Sequence, residues 1–120
     1  MPTRTRVAKS FSFDAAHFLS RVPPGHKCAR MHGHTYVCEV VICGELDGRG
    51  MVADFAEVAE AWAPLHELLD HRTLNDVVGL DNPTAENLAA LIFERLSHSL
   101  PALFAVRVYE SSTTWAEVGR

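Results

Sequence analysis

Residues 32–43 read "HGHTYVCEVVIC", and this stretch decides the fold. Its β-branched and aromatic residues are typical of a β-strand. Alternate side chains of a strand point to the same face, so one face would carry six of these residues: His32, His34, Tyr36, Cys38, Val40 and Ile42. The pattern predicts a strand in which two histidines continue an apolar face.

The stretch "FSFDAAH", residues 11–17, alternates in the same way. It predicts a second strand that ends in a histidine and places four residues on one face: Phe11, Phe13, Ala15 and His17. Between the two strands, "VPPGHK" contains two prolines and a glycine. Residues 18–30 are therefore expected to form a long loop, and loops of that length are often functional.

Two amphipathic helices are predicted after the strand pair. Asp54 followed by Glu57 resembles a capping signal, and Thr84 is a plausible N-cap for the second helix. Apolar residues then recur at spacings of three and four, as in helices that pack against a core. The two stripes consist of Phe55, Val58, Ala59, Trp62, Leu65 and Leu69, and of Leu88, Leu91, Ile92 and Leu96. Pro64 should kink the first helix, and Pro101 should mark the end of the second.

Two short strands are predicted beyond the helices, "AVRVYES" and "TTWAEV", with a Ser/Thr-rich turn between them. The element order is therefore β-β-α-α-β-β, which is an α+β fold. With 120 residues, 48% apolar and 22% charged, the chain is expected to be one soluble domain over residues 1–120. No internal repeat or linker is seen.

Charge and hydropathy disfavour several classes of partner. The 11 basic and 15 acidic residues give a net charge of −4, which disfavours nucleic acid. No apolar stretch approaches the roughly 20 residues that a membrane span needs, and the N-terminal segment lacks the apolar centre of a signal peptide. The cytoplasm is the expected location. The three cysteines form no C-x-x-C pair and are expected to be free thiols.

The histidines His32 and His34 are two positions apart, so on a strand they point the same way and could share one zinc ion. His17 is the obvious third ligand, because an antiparallel neighbouring strand could bring it beside them. Three protein ligands would leave one coordination position open, as in catalytic zinc sites. The alternative is that these are ordinary hydrogen-bonded or exposed strand histidines.

Further candidate catalytic residues lie in polar segments. Cys28 stands between Lys27 and Arg30, where positive charge and a nearby zinc would favour the thiolate, a base or nucleophile; alternatively it is a small buried side chain. Asp70 and His71 are the residue types of an oriented proton shuttle. Adjacent side chains on a regular helix diverge by about 100°, so an exposed helix terminus is the competing interpretation.

Glu110 lies on the same strand face as Val106 and Val108, where a carboxylate is unexpected unless it is exposed or paired. A buried carboxylate could accept two hydrogen bonds from an amidine-like or guanidine-like ligand edge. The alternative is a strand-end glutamate in water.

Taken together, six motifs resemble the 6-pyruvoyltetrahydropterin synthase superfamily across nearly the whole chain: "FSFDAAH", "CARMHGHTY", "GMVADFAEV", "LDHRTLND", "NPTAENLA" and "VRVYES". Within it, "PPGHKCARMHGH" with "LDHRTLND" is most similar to bacterial 6-carboxy-5,6,7,8-tetrahydropterin synthases of queuosine biosynthesis. The resemblance implies a tunnelling fold, with an antiparallel sheet and two helices on one face, whose subunits form an oligomeric barrel. It implies a homohexamer built from two trimers, with active sites between subunits.

The same resemblance assigns roles to the candidate residues. It implies zinc on His17, His32 and His34. The general base would be Cys28, and the proton relay an Asp-His pair from a neighbouring subunit, Asp70 and His71. The pterin ring would be anchored by Glu110.

The implied reaction is a carbon-carbon lyase reaction on a small-molecule pterin. It would convert 7,8-dihydroneopterin triphosphate to 6-carboxy-5,6,7,8-tetrahydropterin, acetaldehyde and triphosphate. The same residues would serve the pyruvoyl type, which loses only triphosphate, so the motifs leave the product open. The candidate residues would also suit a zinc hydrolase or a non-catalytic pterin-binding module. Lys27, Arg30 and Arg72 are either triphosphate contacts or ordinary surface charges.

Overall fold

The computed structural model describes residues 3–120, so the first two residues of the predicted domain lie outside it. Five strands and two helices follow one another along the chain, with short 3-10 turns at Lys27–Ala29 and Leu74–Asp76. Their bounds are β1 Thr5–His17, β2 His32–Gly44, α1 Phe55–Leu69, β3 Arg72–Thr73, α2 Ala85–Ser97, β4 Leu103–Tyr109 and β5 Trp115–Gly119.

The strands form one mixed sheet in the order β3-β1-β2-β4-β5. The four long strands pair antiparallel, as predicted. The expectation of a purely antiparallel sheet is wrong at one edge, because β3 pairs parallel with Ala15 and Ala16 of β1. This strand has only two residues and therefore no alternating pattern that a sequence could reveal.

The helices pack against one face of the sheet, where a single apolar core joins them to the inward-facing strand residues. Trp62 of α1 stacks on Phe11, with ring centroids 4.9 Å apart, and Phe13 stacks on Tyr36 at 5.1 Å. The α+β fold with both helices on one face is thus confirmed. Neither helix in the described part of the chain is long and apolar enough to cross a membrane.

The helix boundaries follow from their caps. The Asp54 carboxylate accepts a hydrogen bond from the Ala56 N–H at 2.9 Å, and the Thr84 hydroxyl accepts one from the Asn87 N–H at 3.1 Å. Both predicted N-caps are confirmed. Phe55 is exposed, contrary to its place in the predicted apolar stripe, because it is the first residue of α1 and lies on the solvent side.

The two prolines occupy different positions relative to the helices. α1 continues through Pro64, which lies on its exposed face, where water can bond the carbonyl that the missing N–H leaves free. α2 ends at Ser97, four positions before Pro101. The strand β1 is also longer than predicted, since it begins at Thr5 and pairs with β2 along its whole length.

Candidate active site

Three histidines meet at the end of the β1–β2 pair. The register places His17 opposite His32, and Ala15 opposite His34, as the metal hypothesis requires. One ring nitrogen from each histidine lies within 4.8 Å of the others. His17 is buried, with 1% of its surface exposed, and the other two are partly exposed. The predicted convergence of the three side chains is confirmed.

Backbone carbonyls fix the protonation of two of these rings. The Nδ1 atom of His17 lies 2.7 Å from the carbonyl oxygen of Pro83, and Nδ1 of His32 lies 2.7 Å from that of Arg30. A carbonyl can only accept a hydrogen bond, so each Nδ1 carries the proton and each neutral ring presents a bare Nε2. This is the tautomer that binds a metal ion through Nε2.

The two bare nitrogens face each other. Nε2 of His17 lies 2.9 Å from Nε2 of His32, so two neutral rings would bring two lone pairs together. A shared proton or a metal ion between the two nitrogens relieves that repulsion. Burial lowers the pKa of His17 below its ordinary value, which disfavours a proton there. The donor set therefore fits a metal ion that prefers imidazole nitrogen.

Glu110 follows β4 and points toward the same cluster. Its Oε2 atom lies 3.5 Å from Nε2 of His17 and 3.6 Å from Nε2 of His34, and 28% of the side chain is exposed. The sequence predicted that a carboxylate on this face would be either exposed or paired. It is partly exposed, and its oxygen lies beside two of the candidate metal ligands.

Cys28 lies in the 3-10 turn of the long loop between β1 and β2. Hydrogen bonds hold this turn: the Cys28 N–H donates to the His26 ring at 3.0 Å, and the Leu19 N–H donates to the Cys28 carbonyl at 2.7 Å. Cys28 is a partly exposed free thiol and lines a cavity of about 440 Å³ with Lys27, Glu110 and all three histidines. By contrast, Cys38 and Cys43 are buried, as expected of packing residues.

Asp70 and His71 contact each other directly. The Nδ1 atom of His71 lies 2.8 Å from Oδ2 of Asp70. Adjacent side chains diverge on a regular helix, but Asp70 and His71 lie beyond its end: α1 ends at Leu69, and His71 has a φ of 56°. The predicted pair is therefore formed, and its histidine is also exposed at the end of the helix, with 78% of the side chain accessible.

The backbone of Asp14 anchors this pair from strand β1. Its N–H donates to Oδ1 of Asp70 at 3.0 Å, and its carbonyl accepts from the His71 N–H at 2.6 Å. The Asp14 and His71 hydrogen bonds hold the pKa of Asp70 below its ordinary value. The Asp70 carboxylate in turn raises the pKa of His71.

His71 and the Cys28 thiol line different cavities. His71 and Arg72 line a cavity of about 550 Å³ that is bounded by Asp14, His34 and Thr35, and Cys28 does not reach it. The histidine cluster, Cys28 and Glu110 thus line one cavity within one chain, whereas His71 lines another cavity, which His34 alone of the three clustered histidines also lines.

Several of the groups that shape the site were missed in the sequence: the carbonyls of Pro83 and Arg30, and both backbone groups of Asp14. Backbone groups leave no signature in a sequence. The Tyr36 hydroxyl, 3.2 Å from Nδ1 of His17, was predicted only as a residue of the inward face.

Comparison with known proteins places these residues in a family context. The family described as 6-pyruvoyl tetrahydropterin synthase matches residues 6–120. The chain is 40% identical over 119 residues to a 6-carboxy-5,6,7,8-tetrahydropterin synthase of Synechocystis, and the match covers 92% of this chain and 89% of that protein.

A second relative carries a different name. The chain is 39% identical over 98 residues to a dihydroneopterin monophosphate aldolase of Pyrococcus furiosus, with 82% of this chain and 80% of that protein covered. Among solved structures, 6-pyruvoyl tetrahydropterin synthase of Caenorhabditis elegans superimposes with a TM-score of 0.88 at 27% identity, covering 99% of this chain and 97% of that one.

Proposed function

This chain belongs to the 6-pyruvoyl tetrahydropterin synthase family, and from that premise we propose that it converts 7,8-dihydroneopterin triphosphate to 6-carboxy-5,6,7,8-tetrahydropterin, acetaldehyde and triphosphate. The resemblance predicted from the motifs is confirmed, and so is the enzyme class, a lyase of pterin biosynthesis. The 40% sequence identity to a 6-carboxy-5,6,7,8-tetrahydropterin synthase supports the specific reaction.

The observation that carries the proposal is the cavity that Cys28 and Glu110 share with the three histidines. A zinc hydrolase would need no thiol beside the metal, and a binding module would need no base at all. Three histidines, a thiol and a carboxylate in one cavity of about 440 Å³ suit a substrate that is both deprotonated and held by its ring.

Zinc is the metal that we assign to this site. His17, His32 and His34 would hold it, since all three are nitrogen donors and two of them present a bare Nε2. When bound, zinc would supply Lewis-acid polarisation of the substrate's side-chain oxygens.

Cys28 is proposed as the general base. Its Sγ would accept a proton from the carbon side chain of the substrate, and proton transfer of this kind contributes typically about 10²–10⁴-fold to a rate. The hydrogen-bonded 3-10 turn holds Cys28 at the wall of the cavity, so little reorganisation is needed.

The Asp70–His71 pair is proposed to return protons to the substrate through the free Nε2 of His71. Asp70 would orient the ring and favour its protonated form. Because His71 lines a different cavity from Cys28, we propose that the pair serves the cavity of a neighbouring subunit in a homohexamer of two trimers. Among residues 3–120, the outer edge of β5 and most of the outer edge of β1 pair with no strand, and these edges offer surfaces for that assembly.

Glu110 is proposed to hold the pterin ring. A carboxylate accepts two parallel hydrogen bonds from a guanidine-like edge, which a pterin presents through its 2-amino group and adjacent ring N–H. We further propose that the product enters queuosine biosynthesis and that the enzyme works in the cytoplasm, as the motif resemblance implies.

The test is product identification. Purified, zinc-loaded protein is incubated with 7,8-dihydroneopterin triphosphate, and the products are identified by mass spectrometry beside a Cys28→Ala control. We expect a 6-carboxytetrahydropterin and acetaldehyde that depend on Cys28. A 6-pyruvoyl product with retained side-chain carbons would overturn the assigned reaction and leave the site roles in place.

An aldolase activity is the second candidate, favoured by the 39% identity to the dihydroneopterin monophosphate aldolase. It is separated from the first by offering 7,8-dihydroneopterin monophosphate. Turnover of the monophosphate without turnover of the triphosphate would support the aldolase and refute the synthase.

A further inference from the structure

We propose that Glu110 is also a charge partner of the metal in the substrate-free protein, and that it must turn away from the histidines before the ring can bind. This inference rests on the metal site of the proposed function. It assigns to one carboxylate two successive positions, one at the histidines and one at the substrate ring.

The distances carry the first position. Two ligand atoms that are each about 2.0–2.2 Å from a tetrahedral zinc lie roughly 3.3–3.6 Å apart. The Oε2 atom of Glu110 lies 3.5 Å from Nε2 of His17 and 3.6 Å from Nε2 of His34. The carboxylate is thus as far from these two nitrogens as one metal ligand is from another.

The charges favour the same position. Imidazole ligands are neutral, and His17 and His32 are already held in the form that presents a bare nitrogen. Three such ligands would leave the double charge of a zinc ion uncompensated. Within residues 3–120, Glu110 is the carboxylate that lines the histidine cavity. Its negative charge would therefore stabilise the bound ion before substrate arrives.

The second position, at the substrate ring, follows from the lack of space beside the histidines. With its oxygen 3.5–3.6 Å from the histidine nitrogens, Glu110 leaves no room for a substrate between itself and the metal ligands. Glu110 also lines a second cavity, of about 600 Å³, together with Thr114 and Trp115. The Glu110 side chain can turn toward this second cavity and hold the pterin ring from there.

The experiment measures zinc affinity without any pterin, by competition with a fluorescent chelator. Wild type is compared with Glu110→Gln, which removes the charge and keeps the size. Glu86→Gln is the matched control, because Glu86 lines the second cavity but not the histidine cavity. We expect Glu110→Gln to bind zinc about 10–100-fold more weakly, the range found for side chains that support metal ligands, and Glu86→Gln to stay within about twofold of wild type.

Each outcome decides a separate point. Equal affinity of Glu110→Gln and wild type would overturn the inference and leave the proposed function standing. A wild-type protein that binds no zinc would overturn both the metal site and the inference. Glu110→Asp keeps the charge but retracts it by one methylene, so its affinity should lie between those of wild type and Glu110→Gln, whereas an affinity as low as that of Glu110→Gln would contradict a charge effect. Equal melting temperatures of the metal-free variants exclude a folding defect.

Discussion

The histidine cluster and the Asp70–His71 pair both orient imidazole rings by a hydrogen bond at Nδ1, but the oxygen that accepts this bond differs. In both, Nδ1 of an imidazole is held by an oxygen, and Nε2 is left free. A carbonyl oxygen holds buried His17, whose pKa burial lowers, while a carboxylate holds exposed His71 and raises its pKa. The acceptor and the burial together decide whether a histidine is suited to a metal ion or to a proton.

The largest expected effect, on both zinc affinity and activity, comes from removing one imidazole ring of the histidine cluster. His32→Ala should abolish tight zinc binding, and it should lower activity by about 10³-fold or more, since metal polarisation is worth several kcal/mol and each 1.36 kcal/mol is tenfold. Chelator competition and steady-state assays measure the two effects. His98→Ala is the control, because the His98 ring bonds Glu94 at an exposed helix end, away from the cluster. Unchanged zinc affinity in His32→Ala would refute the cluster as the metal site.

The next effect separates chemistry from metal binding. Cys28→Ala should lower kcat by about 10²–10⁴-fold, the usual contribution of a general base, while zinc affinity stays within about twofold. Cys43→Ala, which changes a buried packing residue, should leave kcat nearly intact. A Cys28→Ala variant with wild-type kcat would favour a hydrolase that uses no thiol.

The third effect concerns the Asp70 carboxylate, which accepts the hydrogen bond from Nδ1 of His71. Asp70→Asn replaces the carboxylate that raises the pKa of His71, so that pKa should fall toward its ordinary value. Titration of the His71 ring by NMR measures the change, and Glu94→Gln, beside His98, serves as the exposed control. An unchanged His71 titration in Asp70→Asn would show that the Asp70 carboxylate does not set the pKa of His71.

The same shifts predict a pH window for stability. The raised pKa of His71 means that its stabilising contribution is fully present below the ordinary value of 6.5 and is lost as the pH rises through the folded value. The lowered pKa of Asp70 means that its contribution is present above 3.8 and is lost as the pH falls through the folded value. Denaturant unfolding should therefore show the largest difference between wild type and Asp70→Asn between about pH 4 and pH 6.5.

The smallest effect tests how the helix supports the cluster. Thr84→Ala and Asp54→Ala each remove an N-cap and should each cost about 1 kcal/mol of unfolding free energy. Only Thr84 follows Pro83, whose carbonyl holds His17. We therefore expect Thr84→Ala alone to weaken zinc binding as well, by a few-fold. Equal zinc affinity in both variants would mean that the cap does not position Pro83.

Much of this arrangement could be predicted from the sequence, because period-two alternation in β1 and β2 determines which side chains share a face. That rule brought His17, His32 and His34 together, and the caps Asp54 and Thr84 followed from residue type. The inward position of Glu110 followed from continuing the same alternation one residue beyond β4.

The remaining features depend on tertiary geometry. The two-residue β3 has no pattern, and the contact between Asp70 and His71 depends on where α1 ends and on the positive φ of His71. The backbone acceptors on Pro83 and Arg30 and the backbone anchors on Asp14 are set by how loops close over the sheet, which residue type does not encode.

We propose that the histidine cluster with Cys28 and the Asp70–His71 pair are two halves of one active site, supplied by different subunits. The decisive experiment co-expresses Cys28→Ala and His71→Ala chains with different tags and assays the purified mixed oligomer with 7,8-dihydroneopterin triphosphate. We expect each variant alone to be nearly inactive and the mixture to regain activity, because some sites combine an intact Cys28 with an intact His71. A mixed oligomer as inactive as its parents would contradict it.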